Sequence, residues 1–152
     1  MPQVAGLFQG TILDNLSLFD KTMREEAVRR AALLGLDEII ATMPLGYETK
    51  VGDAAFDILP RGIKQRIAIA RALLYNPKVI LFDEANTAID RNGDEYLRRA
   101  LELLKGYTTM VLVTHRPSLL AMADGVYVLQ EGRLTVREEA GKEKTVLPRD
   151  RS

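Results

Sequence analysis

Two uninterrupted apolar runs stand out from the chain, Val79-Ile80-Leu81-Phe82 and Met110-Val111-Leu112-Val113. Runs of this length with no charge predict strands buried on both faces of a parallel sheet. Around them the apolar positions recur at helical spacing. Leu59, Ile63, Ile67, Ala70 and Leu74 form one stripe, which predicts a helix from Ile58 to Leu74 with Pro60 in its first turn and Lys64, Arg66 and Arg71 largely off the stripe. Leu97, Ala100, Leu101 and Leu104 form another, with Arg98, Arg99, Glu102 and Lys105 outward and Gly106 as the stop. Two strands joined through a helix imply a right-handed parallel crossover. The fold class is therefore α/β.

The flanking segments are more weakly patterned. Thr11 to Leu18 predicts a short helix with Ile12, Leu13 and Leu16 on one side. Thr22-Met23-Arg24-Glu25 has capping-box spacing, opening a helix to about Leu34 that Gly35 ends, and Asp37 is placed to cap a further short helix reaching Met43. Residues 44–57 read as a loop. Pro117 to Ala123 reads as a short helix and Gly125 to Gln130 as a final strand turning at Glu131-Gly132, after which the polar run from Arg137 predicts a solvated tail.

Composition narrows the function. A chain of 152 residues can bury one core, and its 21 basic and 21 acidic residues cancel, so nothing points to nucleic acid as a partner. There is no cysteine, which excludes disulfides and thiolate metal sites and makes a reducing setting the default. No apolar run approaches the roughly 20 residues that cross a bilayer, so any membrane role is expected to come through a partner or another part of a longer chain.

Candidate chemistry gathers at the strand ends. Asp83 and Glu84 follow the first apolar run, and successive side chains on a strand point oppositely. One carboxylate can hold a hydrated magnesium ion while the other addresses a water; the alternative is a strand entering a polar turn with Asp83 as a helix cap. His115, the single histidine, follows the second run. In a parallel pair both carboxyl ends share one edge, so Asp83, Glu84 and His115 are expected to approach one another.

Taken in order, the motifs resemble the nucleotide-binding domain of ATP-binding cassette (ABC) transporters. Pro2-Gln3 followed by Leu7-Phe8-Gln9-Gly10-Thr11-Ile12 and Asn15-Leu16 is similar to the family's Q-loop and the start of its helical subdomain. Leu59 to Leu73 resembles the signature helix, Val79 to Glu84 the Walker B strand, Thr87-Ala88-Ile89-Asp90 the D-loop and Thr114-His115-Arg116 the H-loop. Thr49-Lys50-Val51-Gly52-Asp53 resembles, less closely, the exporter loop that touches the transmembrane partner. The resemblance covers residues 1 to about 135. It implies a P-loop NTPase (RecA-like) parallel sheet with a helical subdomain, divided as core segment 1–9, helical subdomain 10–77, core 78–135 and tail 136–152. It also implies ATP and Mg2+ as cofactors, with Asp83 holding the metal through water, Glu84 polarising the attacking water and His115 at the terminal phosphate. Gln3 would meet the magnesium shell and Asp90 the opposite subunit. The implied partners are the transmembrane domains of an exporter and a second nucleotide-binding domain, at the cytoplasmic face of the membrane, with this fragment itself soluble.

Two departures matter. No Gly-x-x-x-x-Gly-Lys-Ser/Thr is present, so the sheet is expected to be incomplete at the N-terminus and the chain alone inactive toward ATP. In the signature, Leu59-Pro60-Arg61-Gly62-Ile63 stands where the family has Leu-Ser-Gly-Gly-Gln. Pro60 supplies neither hydroxyl nor N–H, and losing one donor to a transition state costs about 3 kcal/mol. Arg61 either compensates at the phosphate or is a structural charge. The reading is thus part of an exporter ATPase engine, of the protein-secretion kind; the alternative is a regulatory, non-cycling half of an asymmetric dimer.

Overall fold

A computed structural model describes residues 6–52, 59–83, 91–137 and 143–145. The chain divides into two compact units, Met1–Thr114 and His115–Ser152. In the first, strand β1 (Gly10–Thr11) pairs antiparallel with β2 (Lys50–Val51), so part of the expected loop is a short ladder. Between them lie helices α1 (Ile12–Ser17), α2 (Arg24–Leu33) and α3 (Leu36–Ala41), with 3₁₀ turns at Lys21–Met23 and Gly46–Glu48. Helix α4 (Arg61–Leu73) packs on α1, α2 and α3. Ile12, Leu16, Ala27, Ala31, Leu36, Ile40, Ile63 and Ile67 form the shared core.

The helix starts differ from expectation in three places, each for a local reason. Asp20, not Thr22, caps the turn before α2: its Oδ1 accepts from the Thr22 N–H at 2.9 Å and from the Thr22 hydroxyl at 2.6 Å, which consumes the hydroxyl. The capping box lies instead at α1, where Thr11 Oγ1 accepts from Asp14 N at 3.0 Å and Asp14 Oδ2 from Thr11 N at 3.1 Å. Helix α3 starts from Gly35 in the left-handed region, φ +62°, and Asp37 sits in its first turn, where its charge suits the helix N-terminus. Pro60 precedes α4 and its carbonyl accepts from Ile63 N at 3.0 Å and Lys64 N at 3.2 Å.

Strand β3 (Val79–Asp83), helix α5 (Arg91–Leu104) and strand β4 (Thr109–Val113) form the expected crossover. The strands are parallel and in register from Val79↔Thr109 to Asp83↔Val113. Leu97, Ala100, Leu101 and Leu104 are buried as the stripe predicts. The strands, however, are not buried on both faces. Phe82 is buried, whereas Val79, Leu81, Val111 and Val113 are 65%, 60%, 50% and 55% exposed. Because paired residues of parallel strands share a face, these four form one open apolar surface beside Asp83. The apolar runs carry the burial pattern of a larger sheet than the described strands make.

The second unit holds helix α6 (Pro117–Leu120) and an antiparallel sheet of β5 (Tyr127–Gln130), β6 (Arg133–Arg137) and β7 (Glu143–Thr145). The turn at Glu131-Gly132, both at positive φ, joins β5 to β6. The expected final strand is thus the first of three, and the expected tail supplies β7. Its alternating charges conceal a strand whose ladder bonds come from β6.

Candidate functional site

Asp83 ends β3 as an exposed carboxylate, opposite Val113. Two residues past Val113, the exposed His115 opens the second unit, followed by Arg116, whose pKa burial lowers. The register therefore brings the carboxyl ends of β3 and β4 to one edge. Glu84 and Asp90, expected to share in the site, lie outside the described residues, as does Gln3.

The second group of candidates is at the start of α4. Pro60 and Arg61 are exposed and Gly62 is half-buried. No side chain caps this helix, and no acidic residue lies in its first turn. Arg61 and Lys64 lie in the first turn of α4, at the positive end of its dipole.

The segment three residues beyond Gln3 is held by side chains that periodicity alone placed on the surface or left unassigned. Asn15 is fully buried; its Oδ1 accepts from Phe8 N at 2.8 Å, and its Nδ2 donates to Phe8 O at 2.9 Å and to Thr11 O at 3.0 Å. Arg71 reaches across from α4: Nη2 donates to Gly6 O at 3.1 Å and the guanidinium lies 5.0 Å from the Phe8 ring centroid. Burial lowers the Arg71 pKa. Phe8 meets Phe19 edge-on at 6.3 Å. The signal for Asn15 was a polar residue sharing a helical face with Ile12 and Leu16, since such a residue needs buried partners.

Arg66, expected off the core stripe, is 6% exposed. Its Nη1 donates to Leu34 O at 3.2 Å and Gly35 O at 3.4 Å, binding α4 to the end of α2. The side chain is buried while its head reaches backbone carbonyls, which hydropathy does not register.

A sequence profile described as "ABC transporter" matches residues 1–87. The chain is 38% identical over 147 residues to an ATP-dependent lipid A-core flippase of Legionella pneumophila (strain Paris), covering 95% of this chain and 24% of that protein. It is 37% identical over 142 residues to the Toxin RTX-I translocation ATP-binding protein of Actinobacillus pleuropneumoniae, covering 93% and 20%. Among solved structures, a bacterial Atm1-family ABC exporter with ATP bound matches with a TM-score of 0.76 and 36% identity, over 88% of this chain and 23% of that one. The chain belongs to the ABC transporter family, in which it corresponds to part of the ATP-binding domain of exporters. It spans about a quarter or less of the length of these relatives. Among the described residues no helix is long and apolar enough to cross a membrane.

Proposed function

We propose that this chain supplies the signature helix, the metal-side carboxylates and the switch histidine of an exporter's ATPase engine, which acts with a second cassette and with transmembrane domains at the cytoplasmic face of the membrane. In this reading residues 10–77 are a helical subdomain set between core segments 1–9 and 78–135, and the mutual packing of α1 to α4 supports that division. The observation that carries the proposal is the in-register parallel pair with an exposed Asp83 at its carboxyl end. The open apolar face beside it fits a sheet that further elements cover.

The residues present fit magnesium ATP on one side only. An exposed carboxylate ending a parallel strand suits a hydrated divalent ion, and the uncapped start of α4 suits an anionic phosphate. A phosphate-cradling glycine loop with its lysine is not in the sequence. ATP bound by the complete engine supplies the phosphoryl group and the driving free energy. Asp83 and Gln3 would hold the metal, Glu84 would orient the attacking water, and His115 would neutralise charge on the terminal phosphate. Asp90 and the Pro60–Gly62 turn face the opposite cassette.

The test has two arms. Calorimetric titration of this polypeptide with magnesium ATP is expected to show no binding in the micromolar range, and saturation there would overturn the reading of an incomplete site. In a complete exporter carrying this segment, Glu84→Gln is expected to abolish hydrolysis and trap the ATP-bound dimer; normal turnover would remove Glu84 from its role. The absence of a hydroxyl and of a capping side chain at Pro60 favours a second reading, a site that binds ATP without cycling. Counting whether one or both nucleotides per dimer turn over separates the two.

A further inference from the structure

Helices α4 and α5 meet the same residue. Gly35 is buried at φ +62°, and a Cβ there would lie 2.5 Å from Cε2 and Cζ of Tyr96, so the α5 ring rests directly on the glycine backbone. Tyr96 Oη also donates to Glu38 Oε2 at 3.4 Å, on the first turns of α3. From the other helix, Arg66 Nη1 donates to the Gly35 carbonyl and to that of Leu34. A side chain on residue 35 would displace Tyr96, and loss of Arg66 would remove the side-chain donor that ties α4 to the Leu34 and Gly35 carbonyls.

We infer that the Gly35 corner is the joint that fixes the first turns of α4 and α5 relative to each other, with Tyr96 and Arg66 as its positioning residues. This rests on the reading above, in which the start of α4 carries Pro60–Gly62 and the start of α5 follows Asp90, the two groups assigned to the opposite cassette. Arg66 and Tyr96 each lie five residues past the first residue of their helix, about 8 Å along the axis at 1.5 Å per residue. A rotation at the joint therefore displaces both ends together. Displacements near 1 Å at a reacting site cost roughly 100-fold in rate, so the joint has consequences although none of its members touches nucleotide. A tyrosine on α5 and a glycine between α2 and α3 act here as one unit, which neither helical periodicity nor a motif shows.

The chain has no cysteine, so two can be introduced for spin labels at Lys64 on α4 and Arg99 on α5. The interspin distance distribution in the 152-residue chain is expected to be narrow, to broaden in Tyr96→Ala and in Arg66→Met, and to stay narrow in Tyr96→Phe, which keeps the ring on Gly35. An unchanged distribution in Tyr96→Ala and Arg66→Met overturns the joint, whatever the chain does with ATP. Gly35→Ala is expected to broaden it as well, and Tyr96→Ala in that background to add less than it does alone, because the ring is already displaced. Additive broadening would show that the two residues do not act together and overturns the inference. In a complete exporter carrying this segment, Tyr96→Ala is expected to lower kcat about 10-fold or more while leaving the KM for ATP unchanged, with recovery in Tyr96→Phe. A lowered melting temperature with normal kcat would reduce the corner to a structural contact and refute the positioning role. Failure of the Glu84→Gln test would refute the functional reading instead, and leaves the distance measurement unaffected.

Discussion

Replacing Asn15 by Ala removes three hydrogen bonds at 2.8, 2.9 and 3.0 Å that tie the Phe8 backbone and the Thr11 carbonyl to α1, and a longer one at 3.5 Å that Arg71 Nη1 donates to its Oδ1. Each such bond contributes about 1 kcal/mol net, and more when the stranded partner stays buried. The bonds are part-buried, so water reaches some of the released groups, and a loosened Gly6–Gln9 segment regains backbone entropy of about 1–2 kcal/mol per residue freed. Those two effects cap the loss at about 2–3 kcal/mol. Amide exchange followed by NMR reads it locally: in the parent chain the Phe8 amide is protected by Asn15 Oδ1, and in Asn15→Ala that protection is lost. Thr11 and Asp14, whose amides bond within the same turn, are expected to exchange about 10- to 100-fold faster, since about 1.4 kcal/mol corresponds to a factor of ten. Asn15→Leu keeps the number and branching of the side-chain heavy atoms without the bonds, and so separates their loss from cavity formation. If Asn15→Leu matches the parent in both Phe8 protection and denaturation midpoint, the clamp is not held by these bonds and the reasoning fails.

Three further outcomes are expected. Gly52→Ala places a Cβ 2.2 Å from the Phe8 carbonyl oxygen at φ +84°, so clash and left-handed strain together are expected to cost about 2–4 kcal/mol in urea denaturation; a loss under about 0.5 kcal/mol would show that the approach is not tight. The Arg98 and Arg99 guanidiniums beside Glu95 hold its carboxyl down to about 2 from an ordinary 4.5. With the folded-state value depressed, its stabilising contribution is full above pH 4.5 and is lost as pH falls toward 2, so Glu95→Gln is expected to flatten the acid limb of a stability-against-pH curve; an identical limb would place the acid sensitivity elsewhere. In a complete exporter, Arg61→Ala is expected to depress turnover strongly if the guanidinium serves the phosphate in place of the missing serine, and unchanged turnover would leave Arg61 as a structural charge.

The parts of this fold legible in the sequence were those with long periodic signals. The stripes of α4 and α5 and the runs of β3 and β4 each average over many positions, so the hydrophobic burial they encode outweighs local exceptions. What escaped depends on single contacts between segments distant in sequence. Arg66 looks like a solvated charge until α2 ends against it, and Asn15 like an ordinary polar position until Phe8 arrives over α1. Caps were misplaced because several good capping side chains stand close together, and Asp20 reaches the free N–H group before Thr22 does. The strands' apolar runs report burial in a larger sheet, which explains why Val79, Leu81, Val111 and Val113 are apolar yet exposed. At the candidate site, the motifs named Asp83 and His115, but Tyr96 belongs to no motif, and the contacts of Arg66 and Arg71, which lie in the signature-like helix, emerge only from the packing.

The turn before α4 accommodates proline without disturbing the helix. A residue preceding a helix contributes its carbonyl to the first helical bonds, and the Pro60 carbonyl does so with Ile63 and Lys64. Its missing N–H lies outside the helical ladder, so proline costs the helix nothing there. The rest of α4 is then fixed by contacts far from its start: Ile63 and Ile67 in the core, Arg66 at the Gly35 corner, and Arg71 on the Gly6 carbonyl. A helix anchored at these places presents its first turn in the same position whichever side chains that turn carries. In the proposed site, the exchange of serine for proline and glycine for arginine would then act on the donors offered to nucleotide, replacing a hydroxyl and a backbone N–H with a guanidinium on a flexible stem. Any loss of turnover it brings should appear in the rate of the chemical step, while the stability and helix content of the chain stay as they are.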